Sequence, residues 1–200
     1  AVLVTGLGKH VHQILDEDPE PTIGFSVVTS STNENANAML VVSLSAESGK
    51  QITIDYAAAA GGTASAVDDY TVVAGTLTFD PGTPMQMVPV AINDDGLDED
   101  NETAAVGLGK TLNAVLPAGQ ATHTLTITDN DNSPTIDFNQ VTNSVSEAIG
   151  MQGIQVDLSA ISGRAVQFNF SRAGAAALAD FTLPAGPYTI PAGMQSVTIM

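Results

Sequence analysis

The sequence predicts an all-β fold, a tandem row of seven-stranded immunoglobulin-like Greek-key β-sandwiches, and three observations carry that prediction. Apolar and polar residues alternate with period two in short runs bounded by Gly, Pro, Asn and Ser, the pattern of half-buried strands. No stretch keeps a helical period long enough for an amphipathic helix. The chain also repeats itself. His10-Val11-His12-Gln13-Ile14-Leu15-Asp16-Glu17-Asp18 runs into Pro21-Thr22-Ile23-Gly24-Phe25. His123-Thr124-Leu125-Thr126-Ile127-Thr128-Asp129-Asn130-Asp131 runs into Pro134-Thr135-Ile136-Asp137-Phe138, at an offset of 113 residues. Seven strands in one such repeat is the density of an immunoglobulin-like sandwich.

The repeat divides the 200 residues into three parts. Residues 1–19 read as the C-terminal strand and tail of a preceding repeat, residues 20–132 as one complete repeat, and residues 133–200 as the N-terminal part of a following one. Val42-Ser43-Leu44-Ser45-Ala46 answers Val156-Asp157-Leu158-Ser159-Ala160, and Asp69-Tyr70-Thr71 answers Asp180-Phe181-Thr182. Such a chain reads as a window on a longer tandem array.

Within the complete repeat, strand A is expected over residues 22–28 and strand B over 39–46, with Leu40, Val42 and Leu44 inward. Strand C covers 51–58 through Ile52, Ile54 and Tyr56; the Gly61-Gly62 pair ends the Ala57–Ala60 run. Strand D covers 75–79 through Leu77 and Phe79, and strand E covers 86–92 through Val88, Val90 and Ile92. Strand F covers 103–108, and strand G covers 121–128 through Leu125 and Ile127.

Strand parity places the charge. If successive strands run up and down, the A–B, C–D and E–F connections and the end of G share one pole. Those four places hold Glu34, Asp68-Asp69, the run from Asp94 to Glu102, and Asp129-Asn130-Asp131. Six of the nine residues from Asp94 to Glu102 are carboxylates, and no Lys or Arg lies nearer in sequence than Lys110. Such a cluster repels itself. A hard divalent cation resolves the repulsion, since Ca²⁺ takes about 6–8 oxygen ligands in flexible geometry.

Composition narrows the partners. Twenty-two acids against five bases give a net charge of −17, which excludes nucleic acid and anionic membrane surfaces. There is no Cys, hence no disulfide and no thiolate metal site. No run of 18 apolar residues offers a membrane span. A cysteine-free, acidic, Thr/Ser/Gly-rich chain suits a secreted or cell-surface bacterial protein.

The Ile54-Asp55-Tyr56, Gly62-Thr63-Ala64, Asp69-Tyr70-Thr71 and Gly75-Thr76-Leu77-Thr78-Phe79 segments, Pro81-Gly82, the acidic run and the closing Ile127-Thr128-Asp129-Asn130-Asp131 together resemble the Calx-β repeat. The resemblance implies a seven-stranded sandwich binding Ca²⁺ at one pole, with Glu34, Asp69, Asp94, Asp95, Glu99, Glu102, Asp129 and Asp131 as the ligand positions. In the following repeat Glu147 and Asp180 match. Asn130 departs from the all-acidic closing triplet of the exchanger domains in that family, which implies one or two ions rather than four.

Cadherin-like repeats share the Leu97-Asp98-Glu99 and Asp129-Asn130-Asp131 motifs, but the Gly-Thr-Ala and Asp-Tyr signatures fit Calx-β better. An EF-hand loop from Asp129 has Pro134 where Gly is needed and Gln140 where Glu is needed. A glycosidase would want an aromatic-lined apolar cleft around its acids, which this loop does not offer. His10 and His12 could form half a metal site, yet His123 repeats the His10 position, which reads as a structural strand-edge role. The expectation is therefore a non-enzymatic Ca²⁺-binding structural or adhesive module of a long extracellular protein, the ion rigidifying the inter-repeat junction. Its partners would be neighbouring repeats, with other copies or surface and matrix components beyond them. The alternatives are a regulatory Ca²⁺ sensor on a membrane transporter and a cadherin-like adhesion repeat.

Overall fold

The structure is a computed structural model that describes residues 10–171, 173–174 and 180–200. Its first unit holds β1 (Ile23–Phe25), β2 (Thr29–Asn33), β3 (Ala38–Leu44), β4 (Ile52–Ala59), β5 (Tyr70–Thr71), β6 (Gly75–Phe79), β7 (Met85–Ile92), β8 (Glu102–Leu112) and β9 (Thr122–Thr128). They form two sheets, ordered β1-β3-β7-β5 and β2-β9-β8-β4-β6. Between them lie Phe25, Ile52, Ile54, Phe79, Val88, Val90, Val106 and Leu125, each closed to solvent. Full burial of a side chain of this size contributes about 1.5–3 kcal/mol. With few aromatics, the core relies on stiff β-branched chains that suit a pleated surface.

The predicted strand A is two strands. β1 pairs antiparallel with β3 in one sheet, and β2 pairs parallel with β9 in the other, so residues 26–28 cross the edge of the sandwich. His123 fixes that crossing. Its Nδ1 lies 2.8 Å from the Val27 carbonyl oxygen and its Nε2 2.8 Å from Ser30 Oγ. A carbonyl only accepts, so Nδ1 carries the hydrogen and the Ser30 hydroxyl donates to Nε2. The ring packs 5.4 Å from Phe25. His123 is thus an interior residue of a central strand rather than an edge residue, because β2 covers the flank of β9 that the expected topology left open.

Strand F also runs longer than expected, to Leu112, with an irregular register opposite Ile54 and Tyr56. Gly62-Thr63-Ala64 has a packing reason: a Cβ on Gly62 would overlap the Thr103 carbonyl, while Ala64 N–H donates to that oxygen at 3.0 Å. Residues 10–20 make no regular element, and Val11 and Ile14 are 84% and 93% exposed. A strand without a neighbour has no ladder to close. The first nine residues of the expected preceding repeat lie outside the described residues.

The second unit repeats the pairing of the first. Its strands are β10 (Ile136–Phe138), β11 (Ile154–Leu158), β12 (Val166–Phe168), β13 (Tyr188–Ile190) and β14 (Ser196–Ile199). The order β10-β11-β14 matches β1-β3-β7, and β12-β13 matches β4-β6. Register matches too: Ile23 faces Leu44 and Phe25 faces Val42, as Ile136 faces Leu158 and Phe138 faces Val156. Val156, Leu158, Ile190 and Ile199 form a separate small core. Among the described residues no helix is long and apolar enough to cross a membrane.

The two units touch through the β7–β8 connection. Asp98 pairs with Ser162 in an isolated parallel bridge, and Gly163 N–H donates to the Asp98 carbonyl at 3.1 Å. Ser133 Oγ, in the short link after β9, donates to Asp98 Oδ1 at 2.9 Å, and Ser162 Oγ to Oδ2 at 3.2 Å. The Arg164 guanidinium donates to Asp98 and reaches Asp100 at 3.2 Å.

Candidate metal centre

Four chain segments end at the pole nearest the second unit. β2 stops where Glu34 N–H donates to the Thr128 carbonyl at 3.0 Å and Ala36 N–H donates back to Asn33, a tight turn that points Glu34 into the sandwich end. β9 delivers Asp129 and Asp131 to the same place. Asn101 Oδ1 accepts from Asp129 N–H at 3.1 Å, tying the end of β9 to the β7–β8 connection.

One carboxylate oxygen each from Glu34, Asp129 and Asp131 lie within 4.8 Å of one another. Glu34 is 8% exposed, and Asp129 Oδ1 and Asp131 Oδ2 are buried with no hydrogen-bond partner. Buried acceptors are ordinarily satisfied, so an orphaned oxygen on each of two carboxylates that group with a third is an arrangement a cation would complete. The electrostatics agree. Burial first, then the charges of Asp95, Asp129, Asp131 and Asp94, push the Glu34 carboxyl from 4.5 up to about 7. Burial and the charges of Asp129, Asp94, Asp95 and Asp98 also raise Asp131.

A second group adjoins the first. A hollow of about 10 Å³, room for one water-sized body, is lined by Glu34, Asp69, Glu99, Asp100, Glu102 and Asp129. Glu102 opens β8 facing inward, and burial, a hydrogen bond with Asp69, and the charges of Asp69, Glu99 and Glu34 push it up to about 7. Burial, then Asp95, Asp69 and Asp129, raise Glu99. Asp94 and Asp95 stand at the exposed rim, where Asn130 Nδ2 donates to Asp94 Oδ1 at 2.9 Å and Leu97 N–H to Asp95 Oδ1 at 2.7 Å.

Of the eight expected positions, Glu34, Asp129 and Asp131 therefore converge on one point, Asp69, Glu99 and Glu102 join Glu34 and Asp129 around the hollow, and Asp94 and Asp95 supply rim charge. Among the described residues no other acid, His or Cys group of three has its donor atoms so close. His10 and His12 meet edge to face at 4.8 Å on the exposed leading stretch, and among the described residues no third metal-ligating group joins them. Glu147 sits in an exposed 3₁₀ turn of the second unit, Glu147–Ile149.

Sequence reasoning missed the residues around the acids. Asp98, expected as part of the acidic run and of a cadherin-like motif, is 5% exposed and belongs to the junction. Burial works to raise its carboxyl, but hydrogen bonds from Ser133, Arg164 and Ser162 hold it below the usual 3.8. Arg164 was one of only five bases in the chain, which was the available signal. The donor set itself is all oxygen and irregularly disposed, which fits a hard divalent cation and suits neither a soft nor a nitrogen-seeking metal.

A tandem immunoglobulin-like sandwich with an acidic pole set against the next copy is the class this fold and site define. The Calx-beta domain profile matches residues 16–131 and again 129–199, and the chain belongs to the Calx-beta family. Sodium/calcium exchanger 1 of Bos taurus is 26% identical over 163 residues, 72% of this chain and 17% of the exchanger. The mouse extracellular matrix organizing protein FRAS1 is 31% identical over 134 residues, 64% of this chain and 3% of that protein. The chain thus spans a small part of each of these curated relatives. Among solved structures, the apo-form Calx CBD1 domain superposes with a TM-score of 0.52 at 24% identity, covering 56% of this chain and all of that one. The tandem CBD12 of CALX1.2 gives 0.52 at 19% identity, covering 89% of this chain and 73% of that one. These likenesses establish the fold.

Proposed function

We propose that the chain is a Ca²⁺-binding tandem Calx-β module in which the ion at the pole of the first unit governs the geometry of its junction with the second. One observation carries the reading: carboxylate oxygens of Glu34, Asp129 and Asp131, one from each, lie within 4.8 Å of one another, and Asp129 and Asp131 each keep a buried oxygen with no hydrogen-bond partner. The ion would neutralise Glu34, Asp129 and Asp131 and draw on Asp69, Glu99 and Glu102. Asp94 and Asp95 would add field at the rim. Because Asp129 and Asp131 also begin the link to the second unit, an ion there acts on the junction directly. Support for Ca²⁺ comes from the similarity to sodium/calcium exchangers and from a solved relative described as the calcium binding domain CBD12 of CALX1.1.

The regulatory form of this reading, a Ca²⁺ sensor within a larger transporter, has the broader support, since the exchanger similarity spans 72% of the chain. The structural or adhesive form, a repeat of an extracellular protein, is favoured by the similarity to an extracellular matrix organizing protein. Affinity separates them. Sensor sites work at Kd of about 10⁻⁷–10⁻⁵ M and extracellular modules at about 10⁻⁴–10⁻³ M.

Titration calorimetry with Ca²⁺ and with Mg²⁺, alongside thermal melts in Ca²⁺ and in chelator, tests the proposal. One site held at 100 times Kd adds roughly 2.7 kcal/mol of stability. Identical melts in Ca²⁺ and chelator, with no calorimetric binding, would sink it.

A further inference from the structure

We infer that Asn93 is the positioning residue of this cation site, clamping the loop that carries Asp69 onto the acidic run that begins at Asp94; the inference rests on the Ca²⁺ reading above. The loop from Ser65 to Tyr70 turns through Val67, whose φ of +107° is a region that β-branched residues avoid. The Val67 side chain is 76% exposed, so packing does not hold this conformation. Hydrogen bonds do. Val67 N–H donates to the Tyr70 carbonyl at 2.9 Å and Asp69 N–H to the Ser65 carbonyl at 3.1 Å.

Ser65 also donates from its N–H to the Asp69 carboxylate and from its Oγ to Asp68 Oδ2 at 2.7 Å, both within the loop, and Asn93 adds three bonds from outside it. Its Nδ2 donates to the Val67 carbonyl at 2.6 Å and to the Asp68 carbonyl at 2.9 Å, and its backbone N–H donates to the Asp69 carbonyl at 2.9 Å. Three successive carbonyls are gripped by one half-buried residue at the end of β7. Ile92 N–H, one residue earlier, donates to Asn37 Oδ1 at 2.9 Å, so the same strand end is also tied to the turn after Glu34. Asp94 and Asp95 follow immediately. The side chain chemistry is selective: Lys or Arg would bring donors with a positive charge that competes with the cation, Asp would bring no donor, and Asn donates without charge. A strained turn held in place beside a charged site is the arrangement expected where loop geometry serves binding.

Calorimetric Ca²⁺ titration and hydrogen exchange of the ion-free protein test this on the parent chain, Asn93→Ala, and the Val67→Gly/Asn93→Ala pair. Asn93→Ala should weaken Ca²⁺ about tenfold, the effect of one or two net hydrogen bonds, and speed amide exchange within residues 65–70. Gly adopts the +107° turn without strain, so adding Val67→Gly should restore at least about threefold of the lost affinity. Asn93→Leu, of similar volume and without donors, replaces the Ala variant if that one does not fold. Asn113→Ala, which removes an amide bond to the Gln51 carbonyl at the opposite pole, should leave affinity unchanged. Parent-like affinity in Asn93→Ala, or lost affinity with unchanged exchange at residues 65–70, overturns the inference. A parent that binds no Ca²⁺ overturns the functional reading and this inference with it, a result distinct from equal binding by parent and variant.

Discussion

Replacing Glu34 with Gln should stabilise the chelated protein at alkaline pH and remove its response to Ca²⁺. Burial and the charges of Asp95, Asp129, Asp131 and Asp94 raise the Glu34 carboxyl from 4.5 to about 7. At 1.36 kcal/mol per pH unit, ionising Glu34 in the ion-free fold costs roughly 3 kcal/mol. The folded value lies above the unfolded one, so the fold binds the proton more tightly. The associated stability is fully present below about pH 4.5 and is lost as pH rises through about 7. Gln mimics the protonated acid. In chelator, Glu34→Gln should therefore gain up to roughly 3 kcal/mol at pH 8 and under about 1 kcal/mol at pH 5. For a domain of this size that is on the order of 10 °C in Tm at pH 8. In saturating Ca²⁺ at pH 8 the order reverses, because the parent gains the ion's stabilisation and the variant has lost a ligand. Differential scanning calorimetry at both pH values, each in Ca²⁺ and in chelator, reads all four conditions. A variant destabilised in chelator at pH 8, or shifted equally at pH 5 and pH 8, refutes the electrostatic account of the pole.

Other perturbations separate the pole from the junction and the core. Arg164→Met keeps the stem but leaves Asp98 to Ser133 and Ser162 alone, and small-angle scattering should show a wider spread of angles between the two units; unchanged scattering would count against the contact. A Cβ at Gly163 would press on the Glu99 carboxylate, so Gly163→Ala, a change in the second unit, should weaken Ca²⁺ at the first by a few-fold in calorimetry while both cores stay folded. A Cβ at Gly62 would overlap the Thr103 backbone carbonyl, which cannot swing away, so Gly62→Ala should cost about 1–3 kcal/mol in denaturant unfolding.

Strand alternation and parity were enough to place the acidic pole, because each up-down connection is forced to one end or the other. Glu34, Asp69, Glu102, Asp129 and Asp131 could be grouped without any coordinates for that reason. The division of strand A was not legible. Ile23, Phe25 and Val27 alternate smoothly with Gly24 and Ser26, and nothing in that run says that the sheet changes after Phe25. The change is specified by His123, nearly a hundred residues away, through its bonds to Val27 and Ser30. The Asp98–Arg164 contact was hidden for a similar reason, since it joins residues of two successive repeats and belongs to neither repeat's pattern. Asn93 read as a turn residue before an acidic run, and its donors onto residues 67–69 appear only once the loop is folded.

The parallel pairing of β2 with β9 has a consequence for a chain pulled from its two ends. Residues 29–33 of β2 align with residues 124–128 of β9, both running toward the acidic pole. The chain enters this unit at the opposite pole, where Pro21 and Ile23 bond with Val115, and leaves it beside Asp131. Stretching force along a row of such units therefore drags β2 backward and β9 forward. Two parallel strands drawn past each other load their hydrogen bonds together in shear, whereas an antiparallel pair peeled from one end breaks its bonds in turn. A cation held by Glu34 at the end of β2 and by Asp129 at the end of β9 would lie across that sliding plane, a pin through the two strands at the point where they must slip.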